Sequence, residues 1–178
     1  MHRIFAALPV PDSIAERLLP LKGDVFGARW RQRGHFHITL QFYGNVSTEI
    51  AEEIAEALEH VAAPQLTLEL QGVGWFGSKA PYSLYARIAP NEALDALAAD
   101  CRKIARRLNL KIDQNPFKPH ITLAYCHDTP LEDAMRWSEG YQILRSEPFI
   151  ADSFHLYESF TAPNRPSRYE PQADYGLG

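Results

Sequence analysis

The sequence predicts an α+β fold with antiparallel sheets, built from two lobes that share a cleft. Strand-like and helix-like segments follow one another in an order dominated by hairpin-like connections, with few strand–helix–strand crossovers. The tetrapeptide HITL occurs once in each part of the chain, at residues 37–40 and 120–123. No low-complexity or charge-rich linker divides the 178 residues, so we expect residues 1–178 to form a single bilobal domain.

Apolar periodicity predicts the elements of the first part in chain order. A short strand over residues 3–8 precedes a helix for which Asp12 is the expected N-cap. Strands are predicted at Trp30 and over residues 35–43. In the strand over residues 35–43, apolar side chains alternate with polar ones, which is typical of a strand with one buried face. The apolar side chains are Phe36, Ile38, Leu40 and Phe42.

A helix and two more strands complete the first part. Ser47 or Thr48 is the expected cap of the helix, which ends before Pro64. Strands are then predicted at about 66–74 and 82–88, because apolar runs there are separated by a segment rich in turn-forming residues.

The second part begins with a long helix for which Asn91 is the expected N-cap. A strand over residues 117–126, a short helix near 131–138, and strands near 142–158 and 167–172 follow. Each part therefore contributes one HITL strand, which predicts a pseudo-duplicated arrangement.

Composition and charge narrow the classes of function. A net charge of −4 and a sequence pI of about 6.0 argue against a broad electrostatic surface for long nucleic acids, although a small anion or an RNA end remains compatible. No apolar stretch approaches the length of a membrane span. Cys101 and Cys126 form no CxxC pattern, as expected in a reducing compartment. We expect a cytoplasmic monomer that does not associate with membranes.

The two HITL segments place chemistry-bearing side chains at strand spacing. Residues i and i+2 of a strand share a face, so His37 lies beside Thr39, and His120 lies beside Thr122. If the two strands face one cleft, one imidazole can accept a proton and the other can donate one during substitution at phosphorus. Threonine hydroxyls can donate to phosphate oxygens. Two structural histidines on separate strands are the alternative interpretation.

Several motifs in fixed order connect this chain with a known family. They are Arg3–Leu8 (RIFAAL), His37–Gly44 (HITLQFYG), Pro119–Leu123 (PHITL), Phe154–Ser159 (FHLYES), and the pair Arg168-Tyr169. Together they resemble the motifs of the 2H phosphoesterases and, within them, of the bacterial RNA 2′,3′-cyclic phosphodiesterases, also called 2′-5′ RNA ligase-like or LigT-like proteins. The resemblance covers nearly the whole chain.

The resemblance implies a bilobal fold with two antiparallel sheets facing a central groove and helices outside. It implies hydrolysis of terminal 2′,3′-cyclic phosphates of RNA or nucleotides to 2′-phosphates, and the reverse chemistry would ligate 2′,5′ linkages. His37 would be the proton donor to the leaving oxygen and His120 the proton acceptor from water. Thr39 and Thr122 would hold the phosphate. No metal and no cofactor are implied.

One position departs from the family pattern. Many members carry an arginine two residues after the second HxTL, where this chain has Tyr125. We predict Tyr125 and Arg168 as further substrate-binding residues, with Lys79 and Lys118 as other possible sources of positive charge. Because an expected phosphate contact is missing, a non-catalytic nucleotide- or RNA-binding module on the same fold is the alternative function.

Two other groups of residues invite a functional interpretation. His35 and His37 have a spacing that suits zinc, but no further ligand pattern accompanies them, so no metal site is predicted. Four aromatic residues could stack on bases, although each is individually more typical of packing: Trp75, Phe76, Tyr82 and Tyr125.

Overall fold

The computed structural model describes residues 1–178, which form ten strands and four α-helices. The strands are β1 (His2–Pro9), β2 (Ala28–Trp30), β3 (His37–Val46), β4 (Leu66–Leu68), β5 (Leu70–Phe76), β6 (Ser83–Ile88), β7 (His120–Cys126), β8 (Phe149–Ala151), β9 (Ser153–Ala162) and β10 (Arg165–Gly176). The helices are α1 (Asp12–Leu18), α2 (Thr48–Glu59), α3 (Glu92–Arg107) and α4 (Leu131–Gly140). None of the four is both long enough and apolar enough to cross a membrane.

Eight of the strands form one large sheet, in which every neighbouring pair is antiparallel. Its order is β10-β9-β1-β3-β7-β6-β5, and β2 also pairs with β7. The two halves, β10-β9-β1-β3 and β7-β6-β5 with β2, are joined by a single residue pair, Ile38 opposite Ile121. Strands β4 and β8 form a separate antiparallel pair. The predicted α+β class with antiparallel sheets is confirmed.

One apolar core of 39 buried residues includes members of both halves of the sheet. Helix α3 packs against β3, and the buried hydroxyl of Tyr43 donates to the carbonyl of Cys101 at 3.1 Å, which ties the strand to the helix. As predicted, Asn91 caps α3: its Oδ1 accepts from the Leu94 backbone N–H at 2.9 Å. The predicted helix cap at Ser47 is also confirmed, because its hydroxyl accepts from Ile50.

Several predicted boundaries are wrong. Strand β7 begins at His120 rather than at residue 117. The N-cap of α1 is Pro11 rather than Asp12, because the Pro11 carbonyl already accepts the first helical N–H groups and Asp12 is helical. Strand β3 begins at His37 rather than at residue 35, because residues 33–35 form a 3₁₀ turn closed by contacts between Gln32 and His35. Most of the strand predicted near 142–158 lies within β8 and β9, but residues 142–148 are outside any strand.

The predicted inward position of Phe42 is also wrong. Its side chain is 41% exposed, whereas Tyr43 is only 3% exposed. The β1–β3 register explains this difference: Ala7 pairs with Thr39 and Ala6 pairs with Gln41, so β3 carries an extra residue before Phe42, which pairs with Phe5. Such a β-bulge interrupts the alternation of faces. Phe42 therefore lies on the same side of the sheet as the polar residues of β3.

Candidate active site

The two HITL strands lie side by side at the centre of the large sheet. Ile38 and Ile121, which pair across β3 and β7, are both fully buried in the core. Because side chains alternate along a strand, their neighbours point to the opposite face of the sheet. These neighbours are His37, Thr39, His120 and Thr122.

The antiparallel direction of β3 and β7 brings each histidine towards the threonine of the other motif. Ile38–Ile121 is the single pair between the strands, and extending its register would set His37 opposite Thr122 and Thr39 opposite His120. The charge of His120 contributes to the lowering of the pKa of His37. The structure therefore brings all four predicted residues to one face of the sheet, two from each motif.

Each imidazole is oriented by a backbone carbonyl two residues before it. Nδ1 of His37 lies 2.8 Å from the carbonyl oxygen of His35, and Nδ1 of His120 lies 2.6 Å from that of Lys118. A carbonyl can only accept, so both Nδ1 atoms carry the proton and donate it. In the neutral form, Nε2 of each ring is then a free proton acceptor.

Aromatic rings surround His37. The ring centroids of Phe5, Tyr169 and Tyr157 lie 4.9, 5.2 and 6.4 Å from that of His37. Burial among them lowers the pKa of His37 from 6.5 to about 4, against the opposing effect of the hydrogen bond to the His35 carbonyl. The positive charge of Arg31 lowers this pKa further. His37 is therefore neutral at pH 7 in the free protein.

His120 occupies a second aromatic pocket. Phe76 meets it edge-on at 4.8 Å between centroids, and Tyr85 lies at 5.3 Å. Burial lowers the pKa of His120 below 6.5, and the hydrogen bond to the Lys118 carbonyl opposes this shift. Tyr85 can lie here because the adjacent residue is Gly74, at which a Cβ atom would come within 2.7 Å of the tyrosine oxygen.

A groove of about 680 Å³ opens over this face, between β3, β7, helix α3 and the segment 111–118. Its volume is in the range of sites for small ligands. The lining includes two motif threonines, one motif histidine and several aromatic side chains: Thr39, His120, Thr122, Phe42, Phe76 and Tyr125. Of the four aromatic candidates for base stacking, Phe76, Tyr82 and Tyr125 line the groove.

Tyr125 reaches the groove because β7 contains a bulge. Leu84 pairs with Ala124 and Tyr85 pairs with Thr122, so Leu123 is an extra residue in β7. The groove face therefore continues from Thr122 to Tyr125, which is 43% exposed. A regular strand would have presented residues 124 and 126 instead.

The structure does not bring Arg168 to the groove. Its Nε lies 2.7 Å from a carboxylate oxygen of Glu170, and its guanidinium group covers the ring of Phe160 at 4.9 Å. Lys118 lines the groove, whereas Lys79 does not.

Two residues beside the site were missed by the sequence analysis as functional residues. Nη2 of Arg31 donates to the hydroxyl of Tyr169 at 3.0 Å, and its guanidinium carbon lies 5.0 Å from the ring centroid of Tyr125. The short strand β2 carries no periodicity that could reveal its pairing with β7, so the sequence held no signal for Arg31. Tyr169 belongs to one of the family motifs, but no role for it could be predicted from the sequence.

The zinc-like spacing of His35 and His37 does not form a chelating pair. Nε2 of His35 lies 2.6 Å from the carbonyl oxygen of Ser167, and its Nδ1 accepts from Gln32 at 3.4 Å. Both nitrogens of His35 are therefore engaged. No group of three or more His, Cys, Asp or Glu side chains is placed to hold a metal ion.

The fold and the site define a class of protein: an antiparallel α+β scaffold that presents two H-x-T strands to a single groove. Comparison with known families agrees with this description. The sequence profile of the 2′-5′ RNA ligase superfamily matches residues 10–159. The chain belongs to this superfamily, as its motifs predicted.

Curated relatives share one name. A protein of Escherichia coli K12 is 29% identical over 183 residues, covering 99% of this chain and 97% of the relative. A protein of Geobacillus stearothermophilus is 31% identical over 127 residues, covering 67% of this chain and 40% of the longer relative. Both are named RNA 2′,3′-cyclic phosphodiesterase.

Solved structures show the same fold. E. coli LigT complexed with 3′-AMP superimposes with a TM-score of 0.79 at 25% identity, covering 99% of this chain and 98% of LigT. A protein of Thermus thermophilus has a TM-score of 0.80 at 22% identity, covering 98% and 97% of the two chains, and supports the fold alone.

Proposed function

We propose that this protein hydrolyses 2′,3′-cyclic phosphate ends of RNA or of small nucleotides to 2′-phosphates, using His37 and His120 and no metal ion or cofactor. The observation that carries the proposal is the shared face on which both imidazoles have Nδ1 bound to a carbonyl and Nε2 free. The name of the full-length E. coli relative supports the same substrate class.

The two imidazoles have complementary roles in this reaction. Neutral His120 accepts a proton at Nε2 from the attacking water, and the new bond forms between the water oxygen and phosphorus. The bond between phosphorus and the 3′ oxygen breaks, and protonated His37 donates its proton to that oxygen. The product carries a 2′-phosphate, and exchange of protons with solvent restores both rings. If the 5′-hydroxyl of a second RNA end attacks the cyclic phosphate in place of water, a bond from its oxygen to phosphorus forms as the bond to the 3′ oxygen breaks, and the two ends are joined by a 2′,5′ linkage.

Protonation of His37 is coupled to substrate binding. In the free protein its pKa is about 4, so the donor form is scarce at pH 7. A bound phosphate anion within about 4–6 Å favours the imidazolium and raises a histidine pKa by roughly one to three pH units. Binding of the substrate therefore favours the protonated form of His37, which donates to the leaving oxygen.

Thr39 and Thr122 are placed to hold the phosphate. Each shares a strand face with the histidine of its own motif, and each lines the groove. Their hydroxyl groups would donate to the non-bridging oxygens, where negative charge increases in the transition state. Phe76 and Tyr82, stacked at 6.0 Å in the same groove, offer an apolar surface to a base.

We propose that a single copy of the chain is the active form of the protein. All four His and Thr residues come from strands of a single chain, with one pair from each part, so residues 1–178 would act together as a monomer. The net charge of −4 favours an RNA end or a small nucleotide over a long nucleic acid. Two free cysteines agree with the reducing environment of the cytoplasm.

Turnover assays with histidine variants test the proposal. We expect purified protein in excess chelator to convert 2′,3′-cyclic AMP and cyclic-ended RNA to 2′-phosphates. His37→Ala and His120→Ala should each lower kcat by about 10²- to 10⁴-fold. His60→Ala is the matched control, because His60 is exposed and contacts only the carbonyl of Glu56.

Three other outcomes would change the conclusion. Turnover that survives both histidine substitutions would exclude the paired mechanism. Activity lost in chelator and recovered with a divalent cation would indicate a metal-dependent reaction. Binding of 2′-AMP without any turnover would identify a nucleotide-binding module on this fold.

A further inference from the structure

The groove lacks the arginine that the family motif predicts on β7. Tyr125 occupies that position, and a tyrosine side chain carries no positive charge. A cyclic phosphate carries one negative charge, which increases as water attacks, and two threonine hydroxyls provide no compensating charge. The cations that line the groove come from α3 and the segment 111–118 and not from β7: Arg102, Lys111 and Lys118. A cation on the β7 side would complement them.

Strand β2 brings a cation to the same edge. Arg29 pairs with Tyr125 and Trp30 with Ala124, and the backbone N–H of Arg31 donates to the Leu123 carbonyl at 2.8 Å. Arg31 is thus held beside the bulge that turns Tyr125 towards the groove.

Two aromatic side chains orient the guanidinium group of Arg31. Its central carbon lies 5.0 Å from the ring centroid of Tyr125 and 5.8 Å from that of Tyr169. One donor, on Nη2, is used by the hydroxyl of Tyr169. A guanidinium group has five N–H donors, so the others are free for an anion. Aromatic contacts of this kind orient the group without neutralising its charge.

Arg31 lies beside the groove rather than among its lining residues, and its charge is not neutralised by a carboxylate. No acidic side chain lies within 4.0 Å of it, whereas Arg33 contacts Asp12 at 3.4 Å and Arg168 contacts Glu170 at 2.7 Å. The same charge lowers the pKa of His37, which places Arg31 within electrostatic reach of that imidazole.

We propose that Arg31 binds the phosphate of the substrate and takes the place of the arginine that relatives carry at the position of Tyr125. Tyr125 and Tyr169 act as positioning residues, one through its ring and the other through its hydroxyl group. The inference rests on the proposed hydrolase function. Because charge on the non-bridging oxygens increases in the transition state, Arg31 would stabilise that state more than the bound substrate.

Kinetics of charge-matched variants test the assignment. We expect Arg31→Met to lower kcat/KM for 2′,3′-cyclic AMP on the order of 100-fold. Arg33→Met removes the same charge two residues away and should leave kcat/KM unchanged. The variant combining Arg31→Met with Tyr125→Arg restores a cation from the neighbouring strand and should recover about 10-fold or more of the loss. Thermal unfolding of each variant checks that the fold is retained.

A binding measurement separates this inference from the proposed reaction. Calorimetry with 2′-AMP and with adenosine should show that Arg31→Met weakens binding of the nucleotide while leaving that of the nucleoside unchanged. Wild-type turnover with an Arg31→Met variant of near-normal kcat/KM would overturn the role of Arg31 alone. Absence of wild-type turnover, with phosphate-specific binding still dependent on Arg31, would overturn the hydrolase proposal alone. Equal losses in Arg31→Met and Arg33→Met would overturn the assignment by showing a general charge effect.

Discussion

Ile38 and Ile121 form the single residue pair that joins the two halves of the large sheet. Both side chains are fully buried, so this junction is anchored in the core on one face. On the other face, the residues next to it are His37, Thr39, His120 and Thr122. The same pair therefore connects the sheet and fixes the spacing of the proposed catalytic groups.

The first prediction concerns the two threonines. Replacing Thr39 or Thr122 by valine keeps the side-chain shape but removes the hydroxyl donor. We expect kcat/KM for 2′,3′-cyclic AMP to fall about 10- to 100-fold in each variant, because a donor to the developing phosphate charge is lost. Steady-state kinetics measure the effect, and Thr67→Val, at an exposed position of β4, is the matched control. Normal kcat/KM in both groove variants would contradict the phosphate-binding role.

The second prediction concerns the protonation of His37. Its pKa should be about 4 in the free protein, since burial disfavours the charged ring. On binding of 2′-AMP, the phosphate should raise this pKa to roughly 5–7. Imidazole resonances followed by NMR across a pH titration report both values. A pKa that does not move on binding would mean that the phosphate lies far from His37.

The third prediction links the same pKa to folding stability. Between pH 6.5 and about 4 the unfolded chain binds a proton at residue 37 that the folded protein does not bind, so the free energy of unfolding rises with pH through this window. Above pH 6.5, neutral His37 contributes on the order of 3 kcal/mol to the free energy of unfolding relative to pH 4. This contribution is lost as the pH falls to about 4.

Denaturant unfolding at several pH values can isolate this contribution. Carboxylates also titrate at low pH, so the informative quantity is the difference between wild type and His37→Gln. That difference should change by about 3 kcal/mol across the window. A constant difference for His37→Gln would show that residue 37 is not buried as a neutral ring.

The fourth prediction concerns Gly74, which leaves room for Tyr85 beside His120. A methyl group in Gly74→Ala would lie 2.7 Å from the Tyr85 oxygen and 2.9 Å from Nη2 of Arg87. Arg87 is exposed and can move, whereas Tyr85 is only 7% exposed. We expect a loss of about 1–3 kcal/mol in unfolding free energy and a lower kcat, because Tyr85 supports the His120 ring.

Combining the substitution with Tyr85→Leu tests the cause. The new methyl group would also lie 2.8 Å from Cζ of Tyr85, and leucine has neither that carbon nor the hydroxyl oxygen. The loss of unfolding free energy caused by Gly74→Ala should therefore be smaller in the Tyr85→Leu background. A glycine replacement without effect on either quantity would show that Tyr85 does not constrain His120.

Much of the fold could be predicted from local sequence patterns. The caps at Ser47 and Asn91 follow from a side chain bonding to its own helix, and the HITL strands follow from alternation. Alternation failed where β-bulges add a residue. Phe42 and Tyr125 both owe their exposure to such bulges, which depend on the partner strand and leave no periodic signal in the chain itself.

The residues of the candidate site also divide into those that local sequence patterns identify and those whose place depends on tertiary contacts. His37, Thr39, His120 and Thr122 could be identified because each motif carries its chemistry at strand spacing. Arg31 could not, because its place depends on the pairing of a three-residue strand with β7. Arg168 was chosen for its charge and motif, but a local contact with Glu170 holds it outside the groove.

The backbone contacts that orient the two histidines have an evolutionary consequence. In many enzymes a carboxylate side chain holds the catalytic imidazole, and one mutation can remove it. Here the acceptors are the carbonyl groups of residues 35 and 118, and every amino acid has such a group. A substitution at either position cannot remove the carbonyl acceptor. The Nδ1-protonated tautomer of each histidine therefore depends on the backbone conformation and not on the side chains at 35 and 118. The side chain of Lys118 can therefore change without loss of the acceptor, whereas that of His35 also contacts Gln32 and Ser167.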